Sequence, residues 1–270
     1  MPLAEDLRER VVALADEAGA AIMAVYGDDI AVRAKADDSP VTAADMAAHR
    51  CIVAGLARLT PGIPVLSEES AHLVDLAQRR AWSRFWLVDP LDGTREFIKR
   101  NGEFTVNIAL VDDGVPVFGV IQAPASGVAW HGIPGRGAFR RDAAGTRAIG
   151  SRRPAATPLR VATSRSHLDA RTATLLQRIG RHDPVGLGSS LKFCLLAEGG
   201  MDAYPRLGPT SEWDTAAGQA ILEAAGGCVL DLGGRPFRYN QRDTLLNGDF
   251  VALGDPGLPW RDWTAGFADR

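Results

Sequence analysis

In the first half of the chain, the spacing of apolar residues predicts two long helices and several shorter elements. Leu3 to Tyr26 and Thr42 to Leu59 place apolar residues three and four positions apart, which predicts two amphipathic helices. Gly27 is expected to end the first helix, and Thr42 is expected to cap the second. Shorter elements are predicted as a strand at Ile30–Lys35, a turn at 37–40, a strand from Val65 and a brief helix from Ala71 to Arg80.

Strand patterns dominate the middle of the chain. Phe85 to Val88 is a compact apolar strand that runs into a polar turn. Two hairpins are predicted after it, the first around Asp112-Asp113-Gly114, a strong turn signal. The glycines at 132–137 in the second hairpin lack the spacing and context of a dinucleotide-binding loop, and no P-loop motif is present. The hairpin strands are predicted at Phe104–Val111, Val115–Ala123, Val128–His131 and Gly137–Arg140.

Strands and helices alternate in the second half, which favours a layered α/β architecture. The polar stretch Arg141–Pro158 predicts a boundary between an N-terminal lobe, residues 1–155, and a C-terminal α/β lobe, residues 156–270. The alternating elements are strands at Leu159–Thr163, Pro184–Leu187, Met201–Tyr204 and Cys228–Leu230, and helices at Leu168–Ile179, Ser190–Ala197 and Glu212–Ala225.

Composition narrows the class of protein. The 270 residues are 46% apolar and 23% charged, with a net charge of −3, so a nucleic-acid partner is not expected. No apolar run is long enough for a membrane span, and the N-terminus lacks a signal-peptide pattern. Cys51, Cys194 and Cys228 are far apart and predict reduced thiols, not a disulfide framework or a zinc site. A cytoplasmic monomer or homodimer is expected, with loose association with the inner membrane face left open.

Acidic residues follow the predicted strands. Glu68-Glu69 and Asp89 and Asp92 lie where apolar strands end, and Asp214 opens a predicted helix. Ligand sites of open sheets lie at such strand ends. Carboxylates together with a backbone carbonyl suit Mg²⁺ better than zinc. Converging carboxylates repel one another unless cations lie among them, and paired divalent ions assist phosphoryl displacement. The pattern therefore indicates a divalent-metal phosphatase site.

Simpler explanations exist for each of these motifs. Asp89-Pro90 and Asp92-Gly93 are also ordinary turn dipeptides. Ser211 to Asp214 and Thr42 to Asp45 also fit capping boxes that start helices. A helix N-terminus attracts anions as well, so capping and phosphate binding are compatible.

Four ordered segments resemble the inositol monophosphatase superfamily and span roughly residues 3–252. They imply its fold, an α-β-α-β-α layered sandwich of mixed α/β type. Within it the chain most resembles the 3'(2'),5'-bisphosphate nucleotidases of the CysQ type, through residues 91–109, 188–194 and 204–210. The four segments are Asp89-Pro90-Leu91-Asp92-Gly93-Thr94, Trp213-Asp214-Thr215-Ala216-Ala217-Gly218, Ser67-Glu68-Glu69-Ser70 and Val41-Thr42-Ala43-Ala44-Asp45.

The resemblance implies a role for each acidic residue. Asp45 and Thr94, with Glu68, would activate the attacking water, and Gly93 and Thr94 amides would hold the scissile phosphate. Glu69 would lie just behind the metal ligands. Inhibition by Li⁺ is also implied. Two or three Mg²⁺ ions would be bound by Glu68, Asp89, the carbonyl of Leu91, Asp92 and Asp214. Of these ligands, Glu68, Leu91, Asp92 and Asp214 would also contact the substrate.

The implied reaction is hydrolysis of 3'-phosphoadenosine 5'-phosphate to AMP and phosphate, in support of sulfate assimilation, with 3'-phosphoadenylyl sulfate as a further substrate. Its second phosphate needs cationic side chains, for which Lys192 and Arg206 are the candidates and Lys99 and Arg100 weaker ones. The competing interpretation is that Lys192 and Arg206 are solvated charges on the protein surface. Three other functions stay open: inositol-1-phosphate or fructose-1,6-bisphosphate hydrolysis, phosphonucleotide binding without catalysis, and, less favoured, a carboxylate-based glycosidase.

Overall fold

The computed structural model describes residues 4–26, 32–34, 40–163 and 170–267. Gly27 as a helix end, most of the predicted turn at 37–40 and the start of the helix predicted from Leu168 lie outside the described residues. The helices are α1 (Glu5–Tyr26), α2 (Ala43–Leu59), α3 (Leu76–Arg80), α4 (Thr94–Ile98), α5 (Ala170–Ile179), α6 (Leu191–Ala197), α7 (Glu212–Ala224) and α8 (Trp260–Thr264).

The strands of the described residues form three sheets. A short antiparallel pair joins β1 (Val32–Ala34) and β2 (Pro40–Thr42). The strands of the seven-stranded sheet lie in chain order and are β3 (Val65–Ser67), β4 (Arg84–Asp92), β5 (Thr105–Asp112), β6 (Val115–Ala123), β7 (Val128–Ile133), β8 (Gly137–Asp142) and β9 (Gly145–Ile149). The third sheet, in the order β11-β10-β12-β14-β13, contains β10 (Leu159–Thr163), β11 (His182–Gly186), β12 (Ala203–Arg206), β13 (Cys228–Asp231) and β14 (Phe250–Leu253).

Both faces of the large sheet are buried, and β4 shows why. Trp86 and Val88 belong to the apolar cluster shared with α1 and α2, whereas Phe85 and Leu87 point into the cluster shared with α6, α7 and the smaller sheet. Alternation of side chains along a strand gives each sheet face its own apolar set. A third cluster packs α5 and α8 on the far side of the smaller sheet. The layers are therefore α-β-α-β-α, and the predicted fold class is confirmed.

Helix α7 lies at the centre of this stack and approaches its neighbours closely. A Cβ placed on Gly119 of β6 would lie 2.3 Å from the carbonyl oxygen of Ala217, and one on Gly218 would lie 2.4 Å from Phe193 Cγ. Glycine at these two positions lets α7 contact both β6 and α6. This packing fixes the start of α7, where Asp214 lies.

Several element predictions differ from the structure. The helix predicted at Ala71–Arg80 is split into a 3-10 helix, Glu68–Leu73, and α3, because Asp75 accepts a hydrogen bond from Gln78 N (2.7 Å) and starts a new helix. β9 lies within Arg141–Pro158, the polar stretch that predicts the lobe boundary, and β14 is a strand that the sequence does not predict. The division into lobes at residue 155 stays a prediction, although the two large sheets fall on either side of it.

Two further sequence predictions concern the state of the cysteines and membrane-spanning segments. Cys51, Cys194 and Cys228 are all free thiols, as predicted. Among the helices of the described residues, none is long and apolar enough to cross a membrane.

Candidate active site

The carboxyl end of β4 presents Asp89 and Asp92 through a distortion of the strand. The register against β5 shifts between these two residues, where Pro90 and Leu91 intervene. Pro90 has no N–H for the ladder, and Leu91 N donates to Asp89 Oδ1 (3.0 Å) instead. An extra residue in a strand re-aims the side chains beside it. Asp89 is buried and Asp92 is partly exposed at the same strand end.

Gly93 turns the chain from β4 into α4. Its φ of +89° lies in the left-handed region that favours glycine, and a Cβ there would lie 3.1 Å from the carbonyl oxygen of Glu103. Thr94 Oγ1 donates to the Leu91 carbonyl oxygen (3.3 Å). The Thr94 hydroxyl and the Leu91 carbonyl therefore lie on one short turn directly after the two aspartates.

Asp214 reaches the same place from the first turn of α7. One of its oxygens accepts a hydrogen bond from Ser211 N (2.8 Å), which is half of the predicted capping box. Carboxylate oxygens of Asp89, Asp92 and Asp214 all lie within 4.8 Å of one another. Helix capping and participation in the acidic cluster are thus both observed for Asp214.

The charges of Glu68 and Asp45 act on the same acidic cluster. The pKa of Asp89 is well above its usual value because of burial and then because of the charges of Glu68, Asp92, Asp214 and Asp45. The pKa of Asp214 is also well above its usual value, through desolvation and the charge of Asp92, with the Ser211 N–H acting in the opposite direction. Asp45 is fully buried in the first turn of α2, and Glu68 begins the 3-10 helix after β3.

Such a cluster is suited to a hard divalent cation. Its donors are carboxylate oxygens, with the Leu91 carbonyl close by, and oxygen ligands are those that Mg²⁺ prefers. Carboxylates that repel one another in a desolvated place lose this repulsion when a cation binds. Glu69, predicted to lie just behind the ligands, is half-buried. Burial lowers the pKa of the nearby His49, and the charge of Glu69 acts in the opposite direction.

A cavity of about 230 Å³ opens beside the cluster. Asp92 and Asp214 line one side of it, and Lys192 and Arg206 are also among its lining residues. The weaker candidates Lys99 and Arg100 are exposed and do not line it. The structure therefore brings Lys192 and Arg206 to the acidic cluster and leaves the other two cations at the surface.

Lys192 is a buried lysine, with 7% of its surface exposed. Its Nζ donates to the Ser189 carbonyl oxygen (3.0 Å) and lies 5.2 Å from the centre of the Tyr204 ring. Burial lowers the pKa of Lys192 to about 8, against the opposing effect of Asp92. Arg206 donates from Nη2 to the Pro209 carbonyl oxygen (3.2 Å), and its buried Nε has no hydrogen-bond partner among the described residues.

Ser190 is a site residue that the sequence did not single out. Its N–H and Oγ lie 2.6 and 2.7 Å from Asp92 Oδ2, and its Oγ also lies 2.8 Å from the Asp214 carbonyl oxygen. Asn107 Nδ2 donates to the same Oγ (2.9 Å). Ser190 thereby links the aspartate of β4 to the backbone of α7. Its sequence signal was weak, because a serine before an apolar helix is an ordinary helix start.

Comparisons with known proteins agree with this geometry. The family model of the inositol monophosphatase family matches residues 4–255. The 3'(2'),5'-bisphosphate nucleotidase CysQ of Escherichia coli K12 is 52% identical over 244 residues, which cover 90% of this chain and 97% of that protein.

Two solved structures extend the likeness to the fold. CysQ from Bacteroides thetaiotaomicron, a bacterial member of the inositol monophosphatase family, has a TM-score of 0.81 at 40% identity, covering 92% of this chain and 97% of that one. An inositol monophosphatase from Zymomonas mobilis has a TM-score of 0.78 at 29% identity, covering 96% and 98%. This chain belongs to the inositol monophosphatase family.

Proposed function

We propose that this protein is a Mg²⁺-dependent phosphomonoesterase that hydrolyses 3'-phosphoadenosine 5'-phosphate to AMP and phosphate, with 3'-phosphoadenylyl sulfate as a second substrate. The observation that carries the proposal is the meeting of Asp89, Asp92 and Asp214 within 4.8 Å beside a cavity that also contains Lys192 and Arg206. The 52% identity to relatives named as bisphosphate nucleotidases supports the same substrate. The reaction would support sulfate assimilation by removing 3'-phosphoadenosine 5'-phosphate, which is an inhibitory by-product of that process.

The acidic cluster would hold two or three Mg²⁺ ions. When bound, the ions would neutralise the phosphate ester and stabilise the charge that develops on the attacking and leaving oxygens. The burial of Asp89 and the mutual repulsion within the cluster support this assignment, because both favour a bound cation. The proposed ligands are Glu68, Asp89, the Leu91 carbonyl, Asp92 and Asp214.

Asp45 and Thr94, with Glu68, would orient and deprotonate the attacking water. Asp45 lies in the first turn of α2 and influences the pKa of Asp89, so it lies near the cluster. The Thr94 hydroxyl donates to the Leu91 carbonyl in this structure (3.3 Å). Transfer of a proton from water through Thr94 to Asp45 would require this hydroxyl to turn away from Leu91.

The backbone after Gly93 would bind the scissile phosphate. The φ of +89° at Gly93 and the start of α4 at Thr94 expose consecutive N–H groups on the turn that follows Asp92. Consecutive N–H groups of this kind form anion-binding concavities. These amides would hold the phosphate while the water attacks phosphorus and the 3' oxygen leaves with a proton.

Lys192 and Arg206 would bind the second phosphate of the nucleotide. Both line the cavity next to Asp92 and Asp214, and both are held in place by a backbone carbonyl. A lysine acts as a point charge toward phosphate, and an arginine supplies a planar pair of donors. These two cations would make the enzyme prefer a bisphosphorylated nucleotide over a substrate with one phosphate.

Three broader assignments accompany the proposal. We propose two lobes, residues 1–155 and 156–270, with the active site where they meet. We also propose a cytoplasmic enzyme that functions as a monomer or homodimer without a nucleic-acid partner. Li⁺ should inhibit it by competing at a Mg²⁺ position.

A substrate panel tests the proposed activity. Purified protein with Mg²⁺ is assayed for phosphate release from 3'-phosphoadenosine 5'-phosphate, inositol 1-phosphate and fructose 1,6-bisphosphate, together with the Asp92→Asn variant. The bisphosphonucleotide should give the highest kcat/KM, and Asp92→Asn should lower it by about 100-fold or more, since a metal ligand and its charge are lost. A preference for inositol 1-phosphate would overturn the substrate assignment, and no phosphate release from any substrate would overturn the enzyme assignment.

A further inference from the structure

Residues 240–247, here called the 240–247 segment, run beside the N-terminus of α7, the helix that presents Asp214. Glu212 N donates to the Leu245 carbonyl oxygen (2.8 Å), and Asn247 N donates to the Thr210 carbonyl oxygen (2.8 Å). The first N–H groups of a helix have no partner inside the helix. The 240–247 segment therefore satisfies part of the α7 terminus from outside it.

The Asn247 side chain is buried against the same turn. Its Nδ2 lies 2.8 Å from the Ser211 carbonyl oxygen, 3.1 Å from Thr210 Oγ1 and 3.0 Å from Thr215 Oγ1. Its Oδ1 accepts a hydrogen bond from Arg242 Nη2 (3.0 Å). One side-chain amide thus contacts residues on both sides of Asp214.

Glu212 adds a buried charge to this contact. It is fully buried, its Oε1 accepts from Arg242 Nη2 (2.8 Å) and its Oε2 accepts from Asn240 N (2.7 Å). Burial raises the pKa of Glu212, while these two hydrogen bonds and the nearby arginines act in the opposite direction. A buried carboxylate is tolerated only where its charge is paired in this way. The start of α7 is therefore held in one position relative to the 240–247 segment.

Arg79 attaches the 240–247 segment to α3. It is 3% exposed, and it donates from Nη1 to Asn240 Oδ1 (2.7 Å) and from Nη2 to the Arg242 and Asp243 carbonyl oxygens (2.9 and 2.6 Å). Helix α3 follows the 3-10 helix that begins at Glu68. The segment thereby connects the chain after Glu68 to the turn that carries Asp214.

We propose that the 240–247 segment is a positioning element for the metal site, with Asn247 and Glu212 as the residues that fix Asp214 toward Asp89 and Asp92. The inference rests on the proposed role of Asp214 as a metal ligand. Asp214 has one oxygen held by Ser211 N, and Ser211 in turn is held by Asn247 through its carbonyl oxygen. Partners that orient metal ligands affect metal affinity by about 10- to 100-fold.

Asn247→Ala and Asn247→Asp test the positioning role. Both remove the Nδ2 donors, but the aspartate keeps an acceptor for Arg242. The Mg²⁺ concentration that gives half-maximal phosphate release is measured for each, together with the unfolding temperature in the absence of Mg²⁺. Both variants should raise the half-saturating Mg²⁺ concentration by about 10- to 100-fold. A residue that only stabilises the fold would lower the unfolding temperature without this shift.

Arg80→Ala is the matched control. It removes an exposed ion pair to the same segment, Arg80 Nη2 to Asp243 Oδ1 (2.7 Å), and should leave the Mg²⁺ requirement unchanged. If the Asn247 variants do not fold, Glu212→Gln keeps the side-chain volume and should shift the Mg²⁺ requirement in the same direction. Wild-type Mg²⁺ half-saturation in a folded Asn247 or Glu212 variant would overturn the inference. Phosphate release from wild type that does not depend on Mg²⁺ would instead contradict the proposed function.

Discussion

Ser190 places both its backbone N–H and its hydroxyl against a single carboxylate oxygen of Asp92. The backbone N–H and the hydroxyl of Ser190 lie 2.6 and 2.7 Å from Asp92 Oδ2. The hydroxyl has one proton, and the Asp214 carbonyl oxygen lies at a similar distance, 2.8 Å. Since Asn107 donates to the same hydroxyl, that proton is directed toward one of these two oxygens. Ser190 therefore fixes the rotamer of Asp92 and its distance from α7 together.

Ser190→Ala should weaken metal-dependent catalysis while leaving the fold intact. The variant keeps the backbone N–H bond to Asp92 but loses the hydroxyl, so Asp92 gains rotational freedom. The expected result is an increase of about tenfold in the Mg²⁺ needed for half-maximal activity, as for other partners that orient metal ligands. Ser126→Ala, in an exposed turn where the hydroxyl donates to the Ala123 carbonyl oxygen (3.3 Å), is the control. Equal Mg²⁺ curves for both variants would contradict this role.

Lys192→Met should discriminate between substrates with one and two phosphates. A hydrogen bond to a charged group contributes about 1.5–3 kcal/mol, which corresponds to about 10- to 100-fold in KM. The KM for 3'-phosphoadenosine 5'-phosphate should rise by that factor, whereas the KM for adenosine 3'-phosphate, which lacks the second phosphate, should change little. Arg206→Met should behave in the same way. Equal losses on both substrates would place these cations at the scissile phosphate instead.

The pH dependence of substrate binding should report Lys192. Burial lowers the pKa of Lys192 to about 8, so the lysine is charged below that pH and neutral above it. The KM for the bisphosphorylated nucleotide should therefore increase as the pH rises from 7 to 9, because the cation proposed to bind the second phosphate is lost. The measurement is kcat/KM against pH for wild type and Lys192→Arg, whose guanidinium stays charged over this range. A wild-type profile equal to that of Lys192→Arg would contradict the assignment.

Protein stability should fall on acidification because of His131. This histidine is buried on β7 and stacks on Phe139, and burial together with Arg8 and Arg141 lowers its pKa to about 4. The unfolded chain takes up a proton on this histidine near pH 6.5, whereas the folded protein does so only near pH 4. The free energy of unfolding therefore decreases as the pH falls from 6.5 to 4.

Chemical denaturation between pH 7 and pH 4.5 measures this effect. The free energy of unfolding should decrease over that range by on the order of 2 kcal/mol more in wild type than in His131→Gln, which has no proton to take up. A decrease of the same size in both proteins would assign the acid sensitivity to other groups.

The sequence predicted the layered fold, because helical and strand periods are strong along most of the chain. It missed β14 (Phe250–Leu253), a four-residue strand whose antiparallel position between β12 and β13 depends on contacts distant in sequence. It also merged the 3-10 helix at Glu68–Leu73 with α3, since the cap at Asp75 interrupts the helical pattern only locally. Short elements depend on tertiary packing more than on their own residues.

The acidic residues of the site were predicted from motifs, and the structure brings Asp89, Asp92 and Asp214 together from β4 and α7. Ser190 and Asn247 were missed for a common reason. Each acts through hydrogen bonds to residues far away along the chain, 98 positions for Ser190 to Asp92 and 36 for Asn247 to Ser211. No periodicity or local spacing contains that information, so only the folded arrangement reveals them.

Calorimetric titration with Mg²⁺ in the absence of substrate tests the central claim most directly. The wild-type protein should bind Mg²⁺, and Asp89→Asn and Asp214→Asn should each bind it at least about tenfold more weakly, because each removes a charged oxygen ligand. Glu5→Gln, at an exposed position at the start of α1, should bind like wild type. No Mg²⁺ uptake by wild type, or the same affinity in the two aspartate variants, would contradict a metal site built from these carboxylates.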